Sequence, residues 1–160
     1  MITGKEEILK ELTDVYMMEK ETKDFYEIAS HRASEDNARD IFRQLESRKQ
    51  MHMKYVQFLY RTIQSSGDIV SYDEFKRMKD IHPEEGWVPV KEQEVSYSYT
   101  DDTGLLIHAL EIEAKTHELY RTLAGTARDS VIQDVYGDMM MQEDANLDVL
   151  KKMPGAQIEE

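Results

Sequence analysis

The chain has 160 residues, a net charge of -13 and no cysteine. Disulfides, iron–sulfur clusters, thiolate zinc sites and a cysteine nucleophile are thereby excluded, and the acidic balance argues against a nucleic-acid partner, which needs a basic surface. No apolar run approaches a membrane span and the opening MITGKEEILKEL lacks a signal-peptide pattern, so the expectation is one domain over residues 1–160 of a soluble cytoplasmic protein, with no membrane partner.

A first helix is expected from near Gly4, where Thr3 and Glu6 have capping-box spacing, to about Ser30. A polar turn follows, with Ser34 or Asp36 placed to cap a second helix that runs to Gln64 and stops at Ser65-Ser66-Gly67. The connection over 66–102 breaks the helical pattern. It holds Pro83, Gly86, Trp87 and Pro89, with a short helix expected over 72–79 and an extended stretch over 92–100. A third helix should start after Asp101-Asp102 and end at Gly125, and a fourth should start after Ser130, which has capping-box spacing to Gln133. Pro154-Gly155 should end it, leaving a frayed tail. The chain thus reads as two helical hairpins, 4–65 and 103–153, joined by a long crossover that lets helices two and three run parallel.

The two hairpins repeat one pattern, offset by 94 residues. Glu19 answers to Glu113, Thr22 to Thr116, Tyr26 to Tyr120, Phe42 to Tyr136, Lys49 to Glu143 and His52 to Asn146. These residues sit in stripes spaced three and four apart, such as Leu12, Val15, Glu19, Thr22, Tyr26, Ala29, which is the seam of a helix packed on other helices. Each stripe is apolar at its ends and polar near its middle. Glu19, Glu113 and Glu143 would therefore enter one core, where an unpaired carboxylate costs several kcal/mol. Something cationic must meet them.

Ferritin-like carboxylate proteins meet this demand with metal, using one Glu from each of two helices and Glu-x-x-His from each of the other two. The chain resembles that pattern, most closely in the rubrerythrin and erythrin branch, over both hairpins. The resemblance implies an all-α, ferritin-like four-helix bundle with Glu19, His52, Glu113 and Glu143 as metal ligands. The Glu-x6-Tyr phrases from Glu19 to Tyr26 and from Glu113 to Tyr120 are also typical of that branch. Two positions depart from the pattern. Lys49 stands for a bridging Glu and Asn146 for a terminal His. Charge counting then favours one divalent ion, iron or else manganese or zinc, with the Lys49 ammonium in the space of a second. The resemblance further implies an oxidoreductase acting on peroxide or dioxygen, a separate electron donor and a homodimer. The alternative is a metal-free, non-catalytic bundle in which Lys49 and the carboxylates only set helix pairing, with Glu46 a further partner for the ammonium. Tyr26 and Tyr120 read as packing residues with hydrogen-bonded hydroxyls. His31, His82, His108 and His117 read as surface residues, and Met139-Met140-Met141 as core and interface packing.

Overall fold

The structure, a computed structural model, describes residues 4–78 and 101–153. Five helices follow in order: α1 (Lys5–Arg32), α2 (Asp36–Gln64), α3 (Tyr72–Arg77), α4 (Asp102–Thr126) and α5 (Ser130–Leu150). Helices α1 and α2 form one hairpin and α4 and α5 the other, each joined by a three-residue turn. The crossover links the two, and the result is the expected all-α, ferritin-like four-helix bundle. The extended stretch expected over 92–100, the Pro83 to Pro89 region, the Thr3 cap, the Pro154-Gly155 stop and the tail lie outside the described residues. No helix among the described residues is long and apolar enough to cross a membrane.

The striped sequence explains the packing. One apolar cluster gathers Leu12, Val15, Val56, Leu59, Ile63, Val135 and Tyr136, with Tyr72 and Phe75 of α3. A second gathers Phe25, Ala29, Phe42, Leu45, Leu106, Ala109 and Leu150. The polar mid-stripe residues fall between the two, so a charged layer divides the core. Burial of these clusters, at about 25 cal/mol per Å² of apolar surface, is what holds the helices together.

Helix ends differ from expectation in instructive ways. Neither Ser34 nor Asp36 caps α2. The backbone N–H groups of Ser34 and Glu35 instead donate to the Asp102 carboxylate at 2.8 and 3.0 Å, so a residue of α4 closes the start of α2. Ser130 is not the cap of α5 but its first residue; Asp129 accepts from Val131 and Ile132, and Gln133 donates to the Ala124 carbonyl. Aspartate takes the cap because its carboxylate also answers the helix dipole. Gly125 does not stop α4, which ends at Thr126 with an extended Ala127 whose N–H reaches the Leu123 carbonyl. No left-handed residue is needed there. Helix α1 likewise runs two residues past Ser30, closed by an extended Ala33, and α3 ends at Arg77, short of the expected 79.

The Asp102 contact ties the two hairpins at one end of the bundle. Asp102→Ala should lower unfolding free energy by about 1 kcal/mol. Urea denaturation should show this as a lower midpoint with an unchanged slope.

Candidate metal centre

The polar layer is built from one short segment of each long helix. Glu19 and Thr22 come from α1, Lys49 and His52 from α2, Glu113 and Thr116 from α4, and Glu143 and Asn146 from α5. All eight are buried, with Glu19, Lys49, Glu113 and Glu143 at 0 % exposure. The threonines turn their hydroxyls back onto their own helices, to the carbonyls of Met18 and Ile112, so they add no charge partner.

Lys49 stands at the centre. Its Nζ lies 2.5 Å from Glu143 Oε1, 3.0 Å from Glu113 Oε1 and 3.3 Å from Glu19 Oε1. Lys49 therefore points inward, and its partners are these three carboxylates and not Glu46. The two tyrosines cross over between the halves of the repeat. Tyr26 of α1 donates to Glu113 Oε2 of α4 at 2.5 Å, and Tyr120 of α4 donates to Glu19 Oε2 of α1 at 2.5 Å. That exchange requires α1 and α4 to run antiparallel, which makes α2 and α4 parallel, as the crossover demands. Each phenol occupies one carboxylate oxygen and leaves the other facing the centre.

His52 completes a group of three. Its Nδ1 lies 3.5 Å from Glu19 Oε1 and 3.7 Å from Glu143 Oε1. Ligating atoms of Glu19, His52 and Glu143 all fall within 4.8 Å of one another. These separations exceed a hydrogen bond. They approach the roughly 3.0–3.5 Å between donors that share an ion at about 2.1 Å. His52 Nδ1, Glu143 Oε2 and Asn146 Nδ2 are buried with no hydrogen-bond partner, and Glu19 Oε1 and Glu113 Oε1 have only the Lys49 ammonium at ion-pair distance. Orphaned donors in a dry core cost free energy that a bound cation would recover. Glu113, expected as a further ligand, does not join this group; its two oxygens face Tyr26 and Lys49. Asn146 does not join it either. Its Oδ1, the atom able to ligate, accepts from Arg48 at 3.1 Å.

The electrostatics follow from one ammonium facing three carboxylates. Burial pulls Lys49 down, but the three carboxylates outweigh it and hold the ammonium charged. Burial pushes Glu19 up, but Lys49, His52 and the Tyr120 hydroxyl hold it at about 2. Burial drives Glu143 well above the usual carboxylate range; Lys49 pulls against this, and the neighbouring Glu113 and Glu19 reinforce it. A proton on Glu143 thus absorbs part of the excess negative charge when no other cation does. Burial and the adjacent carboxylates push Tyr26 and Tyr120 well above the ordinary phenol range, which keeps both hydroxyls as donors.

Sequence reasoning missed three contacts. Arg48 was not assigned to Asn146, the tyrosines were not seen to cross between repeats, and Tyr72 was not placed against His52, where the rings meet edge-on at 5.2 Å. The Glu-x6-Tyr phrase held the signal for the second, since two antiparallel copies set each phenol beside the other's carboxylate. Among the remaining candidates, His117 pairs with Asp144 at 3.0 Å and His31 is exposed. His108 is half-buried with its ring 4.6 Å from Phe25, so it is not a plain surface residue. Met139 is core and Met141 is exposed; His82 lies outside the described residues.

No protein family, no curated protein and no solved structure matches this chain. Fold and site together define an all-α bundle of ferritin-like architecture with a buried Glu/His/Glu cluster of metal-binding type.

The two carboxylates should respond oppositely to neutralisation. Glu19 is held below its unfolded value of 4.5, so its stabilisation is present above that pH and is lost as pH falls toward 2. Glu19→Gln should therefore cost on the order of 3 kcal/mol at pH 7, an effect that fades in acid. Glu143 is raised, so its ionised form works against folding as pH rises. Glu143→Gln in metal-free protein should change stability by less than about 1 kcal/mol. Urea midpoints at pH 7 and at about pH 2, near the folded value of Glu19, read both effects.

Proposed function

We propose that the protein binds one divalent cation per chain through Glu19, His52 and Glu143. The observation that supports this reading is the buried cluster of Glu19, His52 and Glu143, whose ligating atoms lie within 4.8 Å of one another and whose His52 Nδ1 has no hydrogen-bond partner. An imidazole with two carboxylates suits iron, manganese or zinc. In this reading Lys49 takes the place of a second ion, Glu113 is its counter-charge, and Arg48 keeps Asn146 from ligating. Tyr120 orients Glu19 so that a single oxygen faces the ion, while Tyr26 does the same for Glu113 toward Lys49. Burial excludes bulk water and strengthens each of these contacts.

A bound iron or manganese ion would supply Lewis-acid and one-electron redox chemistry in a buried site. The finer proposal, which rests on the resemblance to rubrerythrins, is an oxidoreductase acting on peroxide or dioxygen. The chain's part would be to hold the ion and present a hydrogen-bonded phenol at Glu19. With no cysteine in the sequence, reducing electrons would come from a separate donor. Assembly as a cytoplasmic homodimer belongs to the same proposal.

A second reading has a specific observation in its favour. Lys49 already lies within 3.3 Å of all three carboxylates, so the layer has a built-in cation. The bundle would then be a metal-free binding or assembly module, with the polar layer fixing helix register.

Elemental analysis of protein purified without added metal, and after anaerobic loading with iron(II), separates the two. About one ion per chain, with a melting temperature lowered by chelator, supports the metal centre. A stoichiometry that stays near zero supports the module. Affinity should rise with pH, because the ion must displace the Glu143 proton. Lys49→Glu combined with Asn146→His should raise the stoichiometry from about one toward two by restoring the missing carboxylate and imidazole.

A further inference from the structure

The four long helices enclose the polar layer, and a fifth element lies against His52. Helix α3 has six residues, too few to be stable alone, so its order depends on docking. It docks on α2 and α5 through two buried aromatics. Phe75 meets Phe58 at 5.2 Å and Tyr55 at 5.3 Å. Tyr72 meets Tyr55 at 5.2 Å and lays its ring edge-on to His52. The approach to α3, residues 67–71, has no regular structure, and the Tyr55 hydroxyl holds it by donating to the Val70 carbonyl. A cavity of about 250 Å³ runs under this approach. It is lined by Tyr55, Val70, Val135, Asp73, Asp134 and Asp138, and by Ser71. Ser71 and Asp73, on either side of Tyr72, thus face open space, while Tyr72 itself touches His52.

We infer that α3 is a lid over the His52 edge of the polar layer, and that its release opens the route by which a divalent cation reaches Glu19, His52 and Glu143. The destination of the route rests on the proposed metal centre; the lid does not. The argument is one of relative cost. Opening between long helices breaks both apolar clusters that flank the polar layer and approaches global unfolding. Among the described residues, releasing α3 breaks two aromatic anchors and one hydrogen bond beside an open pocket, which is the pattern of a low-energy local opening. Tyr72 is the plug in this scheme and Phe75 the fastener. Carboxylates at the cavity favour cations over anions along this path.

The test uses the full chain, with Phe75→Ala as the main variant because Phe75 does not touch His52. Tyr72→Ala is the second variant. Leu45→Ala, in the other apolar cluster, serves as the control for a general loss of stability. Two rates are measured: carbethoxylation of His52 by diethyl pyrocarbonate, resolved by peptide mass spectrometry, and uptake of cobalt(II), followed by visible absorption. Urea denaturation gives the global stability of each variant. Both lid variants should speed His52 modification by about tenfold or more beyond what global stability accounts for, and the control should not. Cobalt uptake should quicken in parallel, with the final stoichiometry unchanged. Rates that track global stability in all variants, or that do not move, would overturn the lid. If His52 modification responds as expected and cobalt never binds, the lid stands and the metal centre falls.

Discussion

The structure depends on placing one ammonium among three carboxylates where no water reaches. Lys49 touches Glu19, Glu113 and Glu143, and those contacts join all four long helices at one level. Taking one of these charges into a protein interior costs several kcal/mol, so the layer exists only because the charges are mutually compensated. Compensation by Lys49 alone is incomplete. The remainder is felt at Glu143, where burial and the neighbouring Glu113 and Glu19 push the carboxyl well above the usual range. The apolar clusters above and below supply the stability that lets the bundle tolerate this layer.

The repeat gives the layer its geometry. Two hairpins of like sequence pack with α1 antiparallel to α4, and each tyrosine braces the other half's glutamate. Lys49 and Glu143, which occupy equivalent positions in the two halves, pair with each other at 2.5 Å. Symmetry of backbone therefore carries asymmetry of charge. On one side lies His52 with two carboxylates and unfilled donors. On the other, Arg48 and Asn146 form a contact satisfied within the protein on the acceptor side. The two halves of the repeat thus differ in chemistry: one gathers an imidazole with two carboxylates, and the other pairs a guanidinium with an amide.

Much of this was legible from residue spacing. The stripes placed Glu19, Lys49, His52, Glu113, Glu143 and Asn146 on inward faces, and every one of them is buried in the polar layer. Helix existence was also legible, because long stripes tolerate little ambiguity of period. Helix ends were not. Asp102 caps α2 from another hairpin, a contact between residues 68 apart in sequence that no local motif encodes. The same limit hid Arg48, whose partner Asn146 lies 98 residues away in sequence on another helix. Tyr72 was hidden because it sits in the crossover, where no repeat or period announced an inward face.

Stability alone does not account for the composition of the layer. An interior ion pair is commonly matched or exceeded by well-packed apolar residues of similar volume. A bundle needing only helix register could use a single buried polar contact, as coiled coils do with one Asn. Here the layer holds three carboxylates, an imidazole and two phenols around one ammonium. Two of the carboxylates and the imidazole gather on the same side with atoms lacking hydrogen-bond partners. The phenols fix the far oxygens of Glu19 and Glu113 and so leave the near oxygens pointed inward. A register device would need neither the imidazole nor the second phenol, and this composition supports the proposal that one divalent ion, together with the Lys49 ammonium, brings the layer to neutrality.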